Sequence, residues 1–586
     1  MDDSGFASLP THQETQIVIV GAGISGLYCA WRLLQDDPTR RITIIERLNR
    51  TGGRLDTDII QVRPGQVVRE EEGGMRFNYA MTELMRLNHA LGLCDQVVPF
   101  PMSSAIGGAN TNRFLLRGRR FTAQEADAGQ DAIWGEIYNL ADTERGKSPA
   151  RIIQDVYDAV LQANGQQPPK DQTPEFWTRF RNDFTWNGTP LRDWQLWGLL
   201  RDMGYSQECV QMLSETIGFA GPFLAPINAG DALQILADFP VDPTYFTFQR
   251  GFSTLPDAVR DQLAGKVEIL LSTNVDRITR MDSGFALALT EAPGQQDSNP
   301  YIPGGQTKQI ACERLILAVA ANGLERLFVT SPALNGDPDA HRLWESIHAS
   351  RGMRLMKINL YFADPWWLDG GITPPVEFGP NFSSLPVNAV YPFYSLAAAQ
   401  QVLGSAQLTE LEATHVGAAA LTIYCDLNNT AFWEGLQNVG PKFNSELQER
   451  HSIAPQTIFP ASDEVVGEAS RQLAALFGIQ EVPEPLLTSY RLWDGNDDFE
   501  FAYHQWRVGV DDAEVRGYLS APVPGMHVAN EAVSDMQGWV NGSLRSSDLA
   551  LSHFGIAPMD GPVCQQTGHP HGDARGVRRV TGLWGA

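Results

Sequence analysis

Two groups of residues near the start of the chain have types and spacing that suit chemistry. In VGAGISGL, Gly21, Gly23 and Gly26 form a G-x-G-x-x-G array, and Glu46 follows Gly26 by twenty residues. In such an array the first glycine makes a tight turn and the second lets a pyrophosphate approach the backbone. The third lets a helix pack against a strand, and the acid accepts from ribose hydroxyls. The second group is EEGGMRFN, Glu71 to Asn78, where two carboxylates meet two glycines and then Arg76 among apolar neighbours. Three readings of Arg76 stand open: a structural ion pair with Glu70, Glu71 or Glu72, a phosphate clamp, or a grip on a charged substrate.

These residues need elements to hold them. Ile17 to Val20 is a short β-branched run that predicts a buried parallel strand. The segment after Gly23 predicts a helix whose free N–H groups and positive dipole end face the phosphates. RRITIIE then predicts a second strand that ends on Glu46. The order strand, glycine turn, helix, strand, acid is that of a dinucleotide site in an α/β fold. Further along, KINLYFADPWW and AALTIYCDLN read as strands, while DWQLWGLLRDMGY and GEASRQLAALFG have apolar residues at helical spacing. By alternation, Tyr424 shares a face with Thr422 and Asp426.

The chain has 586 residues, 43% of them hydrophobic, which predicts a globular protein of two or more domains. Its formal charge of −25 argues against nucleic acid and anionic membrane surfaces as partners. No apolar run is long enough to span a membrane, and the start, MDDSGFASLPTHQE, has no secretory pattern, so a cytoplasmic location is expected. The six cysteines form no CxxC pair and are expected to be reduced thiols. Cys564, His569 and His571 gain no fourth ligand, so no metal is expected.

Gly52-Gly53-Arg54, so soon after the ribose acid, resembles the second signature of the flavin-containing amine oxidases. Arg54 would there donate in pairs to the pyrophosphate. The resemblance extends to YFTFQRGFSTLPDAVRDQL, to VEILLSTNVDRI, and to GMHVANEAVSDMQGWVNGSLRSS near the end. It implies FAD as cofactor and an α/β fold: a Rossmann-like FAD-binding domain, discontinuous over 15–100, 245–330 and 486–556, with a mixed α+β substrate-binding domain at 331–485. It places a mainly helical insert at 101–244 and a C-terminal tail at 557–586. Its implied cofactor residues are Gly21, Gly23, Gly26, Glu46, Gly53, Arg54, Gly74, Met75, Val275, Glu531, Gly538 and Trp539. Val275 would meet the adenine and Glu531 the ribityl chain.

MKINLYFADPWWLDGGI resembles the family's lysine segment, in which Lys357 would hold a water against flavin N5. Gly73-Gly74-Met75-Arg76 resembles the L-amino-acid oxidase branch, in which the arginine grips the substrate α-carboxylate. Tyr424 would assist it, Gly538 and Trp539 would form the opposite wall, and Tyr391 and Tyr503 are further pocket candidates. The implied reaction is oxidative deamination of an L-amino acid. A hydride leaves Cα for flavin N5, and O2 reoxidises the flavin, giving H2O2, ammonia and a 2-oxo acid. A monoamine or polyamine oxidase on the same flavin core is the alternative. A homodimer is a family expectation.

Overall fold

The computed structural model describes residues 14–103, 110–129, 131–169, 172–237, 245–291, 306–368, 371–395, 417–443, 459–496 and 500–565. Strand β1 (Glu14–Val20) lies between β2 (Ile42–Ile45) and the long strand Thr307–Leu317, parallel to both. Glu268–Leu270 extends the sheet beyond β2, and Met526–Val528 pairs with the end of Thr307–Leu317. Phe285–Glu291 and Thr273–Arg280 add an antiparallel wing. This seven-stranded sheet draws its strands from three separated stretches of chain. Ile17, Val18 and Ile19 are at most 2% exposed, as a central strand covered on both faces requires. Each such side chain contributes about 1.5–3 kcal/mol by leaving water. Helix α1 (Ile24–Asp36) follows β1 directly, begins at Gly23 and has no side-chain cap, so its first N–H groups are left for something else.

A second seven-stranded sheet runs in the order Leu487–Trp493, Leu355–Phe362, Ala419–Asp426, Ala389–Tyr394, Asn381–Ser383, Arg113–Leu116, Arg119–Thr122. Here the expected boundaries shift. The sequence puts Arg113–Thr122 in the helical insert and Leu487–Trp493 in the last FAD-domain stretch, yet the two strands of the first and the one strand of the second complete this sheet. Their short alternating runs pair with partners too far away in sequence for local pattern to reveal. The period of two divides the sheet's faces. Met356, Ile358 and Leu360 join Leu421, Ile423 and the helix Asp463–Phe477 in an apolar core. Lys357, Asn359 and Tyr361 point the other way, beside Tyr424, Thr422, Ser489 and Arg491, which their register sets on the same face. That polar face meets the hairpin of β3 (Thr57–Arg63) and β4 (Gln66–Glu71).

Helices fill much of the stretch 132–237. Ser148, Thr173 and Ser206 each accept a third-residue N–H at a helix start, and proline follows the first two. Arg181 on one of these helices forms a buried ion pair with Asp512, 2.7 Å, tying the helical layer to the C-terminal stretch of the chain. The cysteines depart from expectation. Cys94 and Cys564 form a disulfide across 470 residues, whereas Cys29, Cys209, Cys312 and Cys425 are free and buried. Chain order hid the pairing, because Cys564 returns beside the helix Thr82–Ala90, its N–H donating to Met85 O. His569 and His571 lie outside the described residues. Among the described residues no cluster fits a metal, and no helix is long and apolar enough to cross a membrane.

Candidate active site

The two glycine turns meet at the C-terminal edge of the first sheet. A Cβ on Gly26 would lie 2.0 Å from Gly21 O, so α1 can sit this close to β1 only with glycine there. Gly21 has φ +104° and its added Cβ would lie 2.5 Å from Ala318 O. Gly52 N–H donates to Ala22 O, 2.9 Å, which brings the second turn against the first. Glu46 accepts from Ala22 N–H (2.7 Å) and Leu48 N–H (2.9 Å), one bond per oxygen, which leaves each oxygen a lone pair for a ribose hydroxyl.

A cavity of about 940 Å³ starts here and runs to the second sheet. Gly21, Gly23, Glu46, Gly53, Arg54 and Val275 line it, as do Gly74, Met75, Arg76, Glu531, Gly538, Trp539, Tyr424 and Tyr503. Three expected residues do not line it. Gly26 is the packing glycine, and Tyr391 stands behind Arg76. Lys357 lies beneath the wall, where its ammonium donates to Glu71 O and to Gly73 O (2.6 Å).

A dinucleotide fits this lining. The uncapped start of α1, Gly23 to Ser25, faces it, and no atom lies within 4 Å of an added Gly23 Cβ, so that side is open for phosphate. Arg54 stands at the same cavity, but one nitrogen of its fork is already engaged, donating to Glu531 (2.7 Å) and to Ala502 O (3.1 Å). Glu531 is a hub. Its Oε1 accepts from His504 N–H (2.9 Å) and Gly538 N–H (2.7 Å), and its Oε2 faces Arg54 and His504 Nδ1 (2.9 Å). Burial pushes this carboxyl up, but Arg54 and His504 more than reverse that and hold it well below the usual carboxylate range. With four donors on two oxygens, Glu531 holds protein groups in place around the cavity.

The far end is an aromatic frame around one cation. The Arg76 guanidinium lies 5.1 Å from the Tyr245 ring, 5.7 Å from Tyr391 and 5.8 Å from Phe100, and the residue is 6% exposed. Tyr245 stacks on Trp539 at 6.4 Å and 11°. Phe219 meets Tyr424 edge-on at 5.5 Å and Tyr503 at 6.3 Å. The three glutamates before Arg76 have other engagements: Glu70 with Thr422 (2.9 Å), Glu71 with Thr57 (2.7 Å) and Phe252 N–H, Glu72 with Ser489 (2.6 Å). Lys357 Nζ is 5.3 Å from the Tyr424 ring. Burial lowers its pKa to about 8, against the opposing pull of Glu71, Glu72 and Glu70. Sequence reasoning missed His504, Tyr245 and Phe219. Only the neighbouring Tyr503 and the aromatic run YFTF hinted at the first two, and nothing local marked Phe219.

The profile of the family described as flavin-containing amine oxidoreductase matches residues 24–436. Aplysianin-A of Aplysia kurodai is 21% identical over 564 residues, covering 92% of this chain and 90% of that protein. An L-amino-acid oxidase of Siganus canaliculatus is 23% identical over 386 residues, covering 64% and 62%. Among solved structures, a redesigned putrescine oxidase superposes with a TM-score of 0.60 at 16% identity, covering 92% of this chain and 99% of that one. A cyclohexylamine oxidase from Brevibacterium oxydans gives 0.57 at 17%, covering 92% and 98%. With a cavity that fits a dinucleotide and a family profile over most of its length, the chain belongs to the flavin-containing amine oxidoreductases, and its cofactor is FAD.

Proposed function

We propose that this amine oxidoreductase oxidises an L-amino acid with O2 to the 2-oxo acid, ammonia and H2O2. The observation that carries the reading is Arg76, a permanent cation on the cavity wall beyond the flavin-binding turns, framed by Tyr245, Tyr391 and Phe100. An amine without a carboxylate has no use for such a group, whereas an α-carboxylate matches its planar fork. The aromatic surroundings exclude water and strengthen the pairing.

FAD, held by the glycine turns and Glu46, would supply the two-electron redox chemistry. The chain's own residues orient and tune. Arg76 fixes the carboxylate, with the Tyr424 hydroxyl as its neighbour on the same wall. Trp539 and Tyr424 confine the amine between aromatic faces, so that Cα–H has one direction to point. Burial raises the Tyr424 hydroxyl, which stays neutral and can donate a hydrogen bond. Lys357 uses two of its three N–H donors on carbonyls. Its positive charge, held just beneath the cavity wall, favours the oxygen step.

Putrescine oxidase and cyclohexylamine oxidase act on amines by name, but their likeness at 16–17% identity speaks for the fold alone. The Cys94–Cys564 disulfide favours an oxidising compartment over the cytoplasm. The test is a peroxide assay over the L-amino acids and their decarboxylated amines. Turnover confined to amines removes the proposal.

A further inference from the structure

The hairpin that delivers Arg76 carries an unusual load of buried acid. Asp56, Asp58, Glu70, Glu71 and Glu72 are each at most 1% exposed. The cations facing them are Arg50 and Arg491, both 3.1 Å from Asp56, with Arg69 near Glu71 and Lys357 on the sheet above. Five carboxyl groups therefore meet four cations. Asn359, Ser489, Thr422 and the Tyr361 hydroxyl supply the remaining polar surface from the second sheet.

Asp58 is the group this arrangement leaves out. Neither of its carboxyl oxygens receives a donor among the described residues. Glu72 is half served: its Oε1 accepts from Ser489 (2.6 Å) and Asn359 (3.1 Å), while Oε2 receives nothing. The hairpin register pairs Asp58 with Glu70, so Glu72, two residues on, is its diagonal neighbour on the same face, and the two carboxyls interact. Two ionised carboxylates side by side in a dry interface repel, and each bare oxygen forfeits its hydration. One proton between them removes the repulsion and pairs one oxygen of each group.

We infer that Asp58 and Glu72 share one proton, Asp58 donating its O–H to Glu72 Oε2, and that this acid–carboxylate pair seats the turn Glu72–Arg76 against the second sheet. Burial, then the charges of Glu72 and Asp56, push the Asp58 carboxyl far up, with Arg491 opposing. Glu72 is in turn pinned by Trp493 Nε1, which donates to its carbonyl (2.7 Å), and Lys357 grips the carbonyls on either side. Asp58 is thus a positioning residue acting through Glu72. Its consequence for Arg76 rests on the carboxylate role proposed above; the shared proton does not.

The test needs no substrate. Infrared spectra of the FAD-loaded protein at neutral pH should contain a carboxylic C=O band that is lost in Asp58→Asn and shifts in Glu72→Gln, where the acid keeps its proton but loses its anionic acceptor. Unfolded aspartate ionises near pH 4, so from about pH 5 upward the native state holds one proton more than the unfolded state. The folding constant of the natural protein should fall about tenfold per pH unit relative to that of Asp58→Asn. A wild-type spectrum without a carboxylic band, an Asp58→Asn spectrum that keeps every such band of the wild type, or parallel pH profiles for wild type and Asp58→Asn would each overturn the inference. The infrared result on the unmutated protein stands even where a variant fails to fold.

Discussion

Replacing Arg76 by alanine tests the substrate reading where it is most exposed. The guanidinium is buried among three rings, so a carboxylate docked there loses nearly all its water and depends on this one cation. Removing one partner of such a pair costs about 3–5 kcal/mol, which is roughly 200- to 5,000-fold in kcat/KM. Arg76→Lys keeps the charge but loses the two-pronged fork, and should fall between the variant and the parent. The same change should scarcely affect, or even improve, turnover of the decarboxylated amine, which carries no anion to strand. The assay is peroxide release on the matched amino acid and amine, with bound flavin quantified by absorbance and folding checked by thermal melting. Loss of the contacts with Tyr245, Tyr391 and Phe100 costs stability as well, about 0.5–2 kcal/mol per ring, so kinetics are compared below the melt. A loss on the amino acid under tenfold, or an equal loss on both substrates, refutes the carboxylate role.

Lys357 should titrate near the working pH, since its pKa is lowered to about 8. Its ammonium is present below that value and lost above it, so stopped-flow reoxidation by oxygen should slow as pH rises through about 8. In Lys357→Met, reoxidation should drop on the order of tenfold to a hundredfold and lose this pH dependence, while anaerobic flavin reduction persists. Glu531→Gln removes the charge that holds Arg54 and His504, and should weaken flavin retention by about 3–5 kcal/mol, read by fluorescence titration of the apoprotein. Cys94 and Cys564 should resist alkylation until reduced, and Cys564→Ser should lower urea stability by about 2–4 kcal/mol.

What the sequence made legible follows how local each feature is. The turn from Gly21 to Gly26, with Glu46 at the next strand end, is a contiguous unit, and the strand, glycine turn, helix and second strand form over the residues expected. Arg54, Arg76, Glu531 and Trp539 were found through motifs, and the fold brings all four to one cavity. Features made by distant pairing were not legible. Leu487–Trp493 looks like any short strand, and only its register beside Lys357 assigns it to the second sheet. Cys94 and Cys564 carry no spacing signal across 470 residues. His504 acquires its partner Glu531 only once the strand Tyr503–Trp506 crosses beneath the flavin-side turn. Lys357 was expected to hold a water at the flavin, but period-two alternation could not reveal that the carbonyls of Glu71 and Gly73 would cover its ammonium.

The most direct measurement is steady-state peroxide production by the purified FAD-loaded protein, with each L-amino acid set against the amine formed by removing its carboxylate. At least one amino acid should turn over with kcat/KM several hundredfold above that of its amine, the ratio expected for a carboxylate held by Arg76. Equal turnover of the pair, or preference for the amine, would contradict the amino-acid reading and leave a flavin-dependent amine oxidase in which Arg76 serves another purpose.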